Sequence, residues 1–190
     1  MNIDYKIDGN VIETDRLLLR AFRESDLDDF FEYASRPGVG EMAGWAHHES
    51  KDESCKVLST FIKEDKTFAI CLKETSKVIG SIGVEKYGPE SEYPDLKDLR
   101  GRELGFVLSK DYHRQGYMSE AVEALMSYLF DEYDLDFITA GYFTFNTGSK
   151  KLQEKLGFKP YKEERVKTRM GTIEDGVVNI IFNPSKEVNL

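Results

Sequence analysis

Apolar positions first cluster at Arg16–Phe22, where Leu17, Leu18 and Leu19 form a run of strand length. Ser25 then stands as an N-cap with Asp28 following, and Leu27, Phe30, Phe31 and Ala34 recur at the spacing of one helical face. Pro37-Gly38 halts that helix, because proline lacks the N–H and disfavours helical backbone before it. Ser50-Lys51-Asp52-Glu53 reads as a capping box that opens a second helix with Cys55, Leu58 and Ile62 on its apolar face. Strands are expected over 67–72 and 78–87, joined by the polar turn Glu74-Thr75-Ser76-Lys77 as an antiparallel hairpin. The segment 88–101, with Pro89, Pro94 and mixed charge, reads as a long functional or mobile loop. A strand over 102–109 leads to a helix over 119–133, whose Ala121, Val122, Leu125, Met126 and Leu129 give a broad apolar face. A strand over 136–143, a helix over 147–156 stopped by Gly157, and strands near 161–168 and 177–182 around Glu174-Asp175-Gly176 complete the pattern. The order β, α, α, β, β, β, α, β, α, β, β mixes hairpins with two crossover helices, which is an α/β layout on a mixed sheet.

At 190 residues, with 40% apolar residues and 12 Phe, 10 Tyr and 1 Trp, the chain is expected to form one globular domain over 1–190. Its net charge of -9 argues against nucleic-acid binding and suits a cationic partner better. No apolar run approaches the ~18 residues of a membrane helix, and Met1–Lys6 lacks a signal-peptide pattern, so no membrane partner and a cytoplasmic location are expected. Cys55 and Cys71 have no CxxC spacing and read as two buried free thiols. His47-His48-Glu49 lacks metal-ligand spacing, and no metal is expected. Glu24, Asp26, Asp28, Asp29 and Glu32 crowd the first helix as a solvated face that also favours a basic acceptor.

Two segments carry candidate chemistry. Arg114-Gln115-Gly116-Tyr117-Met118-Ser119 joins a strand to a helix through a glycine turn, so backbone N–H groups at the helix start can converge on one anion such as a pyrophosphate. Arg114 adds a cation, and Ser119 can serve as N-cap and phosphate ligand. The segment is neither a P-loop nor a GxGxxG dinucleotide turn. The second segment, Asn146 to Phe158, places Asn146 and Ser149 on one side of a first helical turn, where they can cap the helix or face a ligand.

In this order and separation, and with the opening Ile12-Glu13-Thr14-Asp15-Arg16-Leu17-Leu18-Leu19-Arg20, these segments resemble the GNAT acetyltransferases, in particular the branch with the RimJ and RimL ribosomal-protein N-acetyltransferases. The resemblance spans about residues 12 to 183 and implies a twisted mixed sheet of about seven strands and about four helices, splayed between the fourth and fifth strands. It implies acetyl-CoA as cofactor, with Phe106, Val107 and Leu108 pairing with the pantetheine arm and the residues from Arg114 through Gln115, Gly116, Tyr117 and Met118 to Ser119 cradling the pyrophosphate. Asn146 is expected on the pantetheine or a water, and Ser149 as the acid for the leaving thiolate, because Gln153 stands where many relatives carry tyrosine. His113 and Met118 also depart from the wider family's preferred residues. Glu103 is the candidate base, directly or through water, and a backbone N–H near Val107 the oxyanion donor. Trp45 either walls the acceptor pocket or packs in the core. The acceptor is a protein N-terminus or a small amine, with the α-amine (pKa ~8) easier to deprotonate than lysine (pKa ~10.4). A non-catalytic CoA-binding sensor is the alternative, and monomer and homodimer both stay open.

Overall fold

The computed structural model describes residues 1–187. Eight strands form one sheet in the order β1-β2-β3-β4-β5-β6-β8-β7. They are β1 (Ile12–Glu13), β2 (Leu17–Ala21), β3 (Thr67–Leu72), β4 (Val78–Glu85), β5 (Gly101–Leu108), β6 (Phe137–Phe143), β7 (Lys159–Lys167) and β8 (Ile173–Phe182). Every pairing is antiparallel except β5 with β6. The helices are α1 (Leu27–Ala34), α2 (Lys51–Glu64), α3 (Tyr117–Glu132) and α4 (Thr147–Lys155). The strand beyond the seven expected is the two-residue β1, too short for a period-2 pattern to show.

Strand alternation sends Leu104, Phe106 and Leu108 to one face, where they pack with Ala121, Val122, Leu125 and Leu129 of α3 and with Leu152 and Leu156. Burying each such large side chain stabilises the fold by about 1.5–3 kcal/mol. Val107 turns to the other face, toward the cluster of Phe22, Phe30, Tyr33 and Leu58 under α1 and α2. Two helices on each face leave the middle of the sheet covered and the far end of β5 and β6 free to host a ligand.

Several local expectations change. Cys55 is exposed, not buried. α2 instead buries Ser54 and Leu58 and packs Phe61 against the cluster, because His48 is drawn under the helix by a 2.7 Å bond between its Nδ1 and Ser54 Oγ. Ser50 caps α2 as expected, accepting from the Glu53 N–H. α1 is not capped by Ser25; a 3₁₀ turn over Glu24–Asp26 precedes it, and buried Asp26 accepts from Arg23 N–H and pairs with Arg20 at 2.7 Å. The neighbouring acids are anchored as well, Asp28 on Lys51, Glu32 on Lys77, and Asp29 on the Val78 N–H, so they form a strapped rather than a free face. The 88–101 segment is packed, with Tyr93 and Leu96 buried against Tyr87 and Phe137.

Candidate functional site

β5 and β6 pair only at Gly101↔Phe137, Arg102↔Ile138 and Glu103↔Thr139. Beyond Glu103 they diverge, while β5 stays paired with β4 to Leu108 and β6 stays paired with β8 to Phe143. The Ser109 N–H donates to Ile79 O, which turns the odd-numbered backbone groups of β5 toward β4 and the even-numbered ones toward the gap. The amides of Leu104, Phe106 and Leu108 therefore line the splay, and the Val107 N–H points at β4. Gly105 and Gly141 stand on the α1/α2 side of the gap, and a Cβ built on either meets no atom within 4 Å. The sheet is thus open to an extended ligand between the strands and to a second one above them.

The loop after β5 ends in a backbone cradle. Arg114 at φ 61 and Gly116 at φ 83 are both left-handed, which costs a non-glycine residue on the order of 1 kcal/mol. Gly116, not Ser119, is the N-cap residue of α3, and its O accepts the Glu120 N–H at 3.0 Å. Among the described residues nothing accepts from the backbone N–H groups of Gln115, Gly116, Tyr117, Met118 or Ser119. These unpartnered donors at the positive end of the helix dipole are free to hold an anion. Arg114 and Gln115 are exposed beside it, whereas Met118 is buried in the α3 core and Ser119 Oγ is buried without a partner.

Arg16 locks this loop, a role its place in the sequence gave no sign of. Its guanidinium donates to Gln115 O at 3.0 Å and to Glu120 Oε2 at 2.7 Å and lies 4.2 Å over the Tyr117 ring. Glu120 also accepts from the Thr14 hydroxyl at 2.6 Å, and this network holds its carboxyl below the usual range despite partial burial. A groove of about 630 Å³ runs beside the cradle between Arg16, Ser119, Glu123 and Lys155.

Asn146 caps α4. Its Oδ1 accepts the Ser149 N–H at 3.0 Å and its Nδ2 donates to Met42 O at 3.1 Å, so the carboxamide is committed to the fold. Ser149 Oγ accepts from Gln153 Nε2 at 3.1 Å, which leaves its own hydrogen free to donate. Gln153 is fully buried, and its Oε1 accepts from Asn179 Nδ2 at 2.9 Å. Gln153 therefore positions Ser149 rather than facing solvent. The Met42 bond, together with Arg169 N–H to Gly44 O at 2.8 Å, ties the α1–α2 loop across the splay. Trp45 packs partly buried against the His48 ring at 5.2 Å and sits so close to Gly40 that no Cβ fits there.

Glu103 lies where the strands part, on the face of Gly105. Burial, then the neighbouring Glu164 and Glu85, push its carboxyl up to about 7, opposed by a 3.4 Å bond from the Thr139 hydroxyl and by Lys162. A carboxylate titrating there is matched to proton transfer near neutral pH. No group of three or more His, Cys, Asp or Glu is placed to hold a metal ion among the described residues. No helix in them is long and apolar enough to cross a membrane.

The family model for the acetyltransferase (GNAT) domain matches residues 16–159. The chain is 29% identical over 153 residues to the uncharacterized N-acetyltransferase YoaA of Bacillus subtilis (strain 168), covering 78% of this chain and 82% of that one. It is 30% identical over 151 residues to the uncharacterized N-acetyltransferase p20 of Bacillus licheniformis, covering 76% and 80%. A GNAT-family acetyltransferase from Bacillus anthracis superposes with a TM-score of 0.78 at 24% identity, over 91% of this chain and 98% of that one. RimL, a ribosomal L7/L12 alpha-N-protein acetyltransferase solved in complex with Coenzyme A, superposes at 0.73 with 15% identity, over 93% and 100%. With the family model spanning most of the chain, and the splay and amide cradle lying within the matched residues, this protein belongs to the GNAT family and is an N-acetyltransferase.

Proposed function

We propose that the chain transfers acetyl from acetyl-CoA to a primary amine by direct attack in a ternary complex, with a protein N-terminal α-amine as the favoured acceptor and small amines as the second class. The likeness of fold to RimL supports the α-amine and the RimJ/RimL-like reading. A cytoplasmic location agrees with both. One observation carries the proposal: strand pairing stops at Glu103, which sets an open amide edge beside a carboxylate that titrates near 7.

Acetyl-CoA, when bound, supplies the activated thioester. The amides of Phe106 and Leu108 are turned to pair with an extended arm in the splay. One of their N–H groups, rather than that of Val107, faces the gap as oxyanion donor, a contribution on the order of 3 kcal/mol. The cradle from Arg114 to Ser119 holds the anionic end. Glu103, directly or through water, takes the proton that the acceptor nitrogen gives up, the neutral amine attacks the thioester carbonyl, and the free hydroxyl hydrogen of Ser149 is available to the sulfur as the C–S bond breaks. Asn146 acts as a positioning residue, holding α4 and Met42 in place. Trp45 shapes the loop that closes the acceptor side.

Thiol release from acetyl-CoA across N-terminal peptides, polyamines, amino acids and aminoglycosides tests the reading. Turnover with one class, falling about a hundredfold or more in Glu103→Gln with CoA binding unchanged, supports it. Coenzyme A binding with no turnover on any amine of the panel would leave two readings, an acceptor outside the panel or the non-catalytic sensor.

A further inference from the structure

A second cavity, of about 690 Å³, lies beside Glu85 at the end of β4, away from the cradle, where the N-terminal segment crosses the start of β5. Its floor contains Arg102, only 4% exposed. Among the described residues no carboxylate pairs with this guanidinium; it donates to Ile3 O, and its Nε has no partner. Tyr5, 8% exposed, lines the same cavity, and its hydroxyl also lacks a partner. Burial pushes that hydroxyl far above the usual tyrosine range, so it stays a donor at working pH. Asp4 and Glu85 are the nearest acids but neither forms an ion pair with Arg102; a buried cation with no paired carboxylate is costly, and orphaned buried donors are rare enough to need a reason.

The remaining wall is mostly cationic. Lys6, Lys66 and Lys86 face Asp4 and Glu85, and Glu85 is taken by Lys66 at 2.6 Å. Asp4 is left against Lys6, Lys86 and Arg102, a local positive excess in a chain of net charge -9. Donors without acceptors and an excess of cations over anions call for one kind of ligand. We propose that this cavity binds a small oxyanion of the phosphate type, gripped by the Arg102 guanidinium, with the Tyr5 hydroxyl donating to it and Lys6 and Lys86 closing over it. The planar guanidinium fork suits paired oxygens of such an anion. None of the gripping side chains belongs to the splay or to the cradle, although Glu85 on the cavity wall also lies opposite Glu103.

Calorimetry and thermal unfolding of the full chain with inorganic phosphate, and with chloride at equal ionic strength, test it; acetate in a parallel arm separates carboxylate from phosphate preference. Phosphate should bind saturably and raise Tm where chloride does not. Tyr5→Phe should leave Tm unchanged without phosphate, because the hydroxyl has no partner to lose, yet weaken phosphate binding about tenfold. Lys6→Ala with Lys86→Ala should weaken it further, whereas Gly116→Ala, which disturbs the cradle and any phosphate held there, should leave the Tyr5-dependent binding in place. No saturable binding, equal affinity in Tyr5→Phe, or affinity lost in Gly116→Ala alone would each overturn the proposal; tighter acetate than phosphate would overturn its phosphate class.

Discussion

Replacing Glu103 by Gln tests the electrostatics of the site without any knowledge of the acceptor. Folding lifts the Glu103 carboxyl from its ordinary 4.5 to about 7. Between those two values the folded chain holds a proton that the unfolded chain has released. Wild-type stability therefore falls as pH rises from about 4.5 to about 7, and the loss is complete above it. At about 1.4 kcal/mol per tenfold, the full difference is about 3 kcal/mol. Gln is close in shape to the protonated acid and does not titrate, so the variant should match wild type below about pH 4.5 and exceed it by about 3 kcal/mol above pH 8. Urea unfolding at half-unit steps from pH 4 to 9 measures the gap directly. Glu164→Gln should end the decline at lower pH and make it smaller, leaving the variant more stable than wild type at neutral pH, since it removes the largest charge raising Glu103. A gap that is constant with pH, or a variant that is less stable above pH 8, would refute the assignment of a raised carboxyl at this position.

Other outcomes follow from the same contacts. Asn146→Ala removes a helix cap and the Met42 bond, and should cost about 1–2 kcal/mol in chemical denaturation while lowering turnover. Gly116→Ala forces a side chain into left-handed backbone at φ 83, with its Cβ 3.3 Å from Arg16 Nη2; an expected loss of about 1–2 kcal/mol should accompany weaker CoA binding by calorimetry. Gly105→Val places its branched side chain into open space on the acceptor side, so Tm should hold while KM for the amine rises. Asp26→Ala strands the poorly exposed Arg20 and should cost about 3–5 kcal/mol by urea unfolding, the largest loss of this group.

Much of this protein was legible along the chain because helix caps and periodicity are local. Ser50, Asn146 and Gly157 mark helix ends within a few residues of the groups they satisfy, and all three occupy those places in the fold. The glycine turn before α3 and the mixed order of strands and helices were equally local. Tertiary structure decided what depends on partners far apart. Which face of α2 is buried turned on His48 reaching Ser54, and so exposed Cys55 where a one-residue shift of the pattern had hidden it. The lock on the cradle joins Arg16 to Glu120 and Gln115 across about half the chain, and no spacing rule encodes that distance. Glu103 could be nominated from its place in a strand, but its proton affinity comes from burial and from Glu164 and Glu85 on other strands. The unpaired Arg102 and Tyr5 likewise became visible only when the N-terminal segment was laid across β5. Periodicity assigns each residue a side of its own element; only packing brings in the distant charges and hydrogen-bond partners that set what the residue does there.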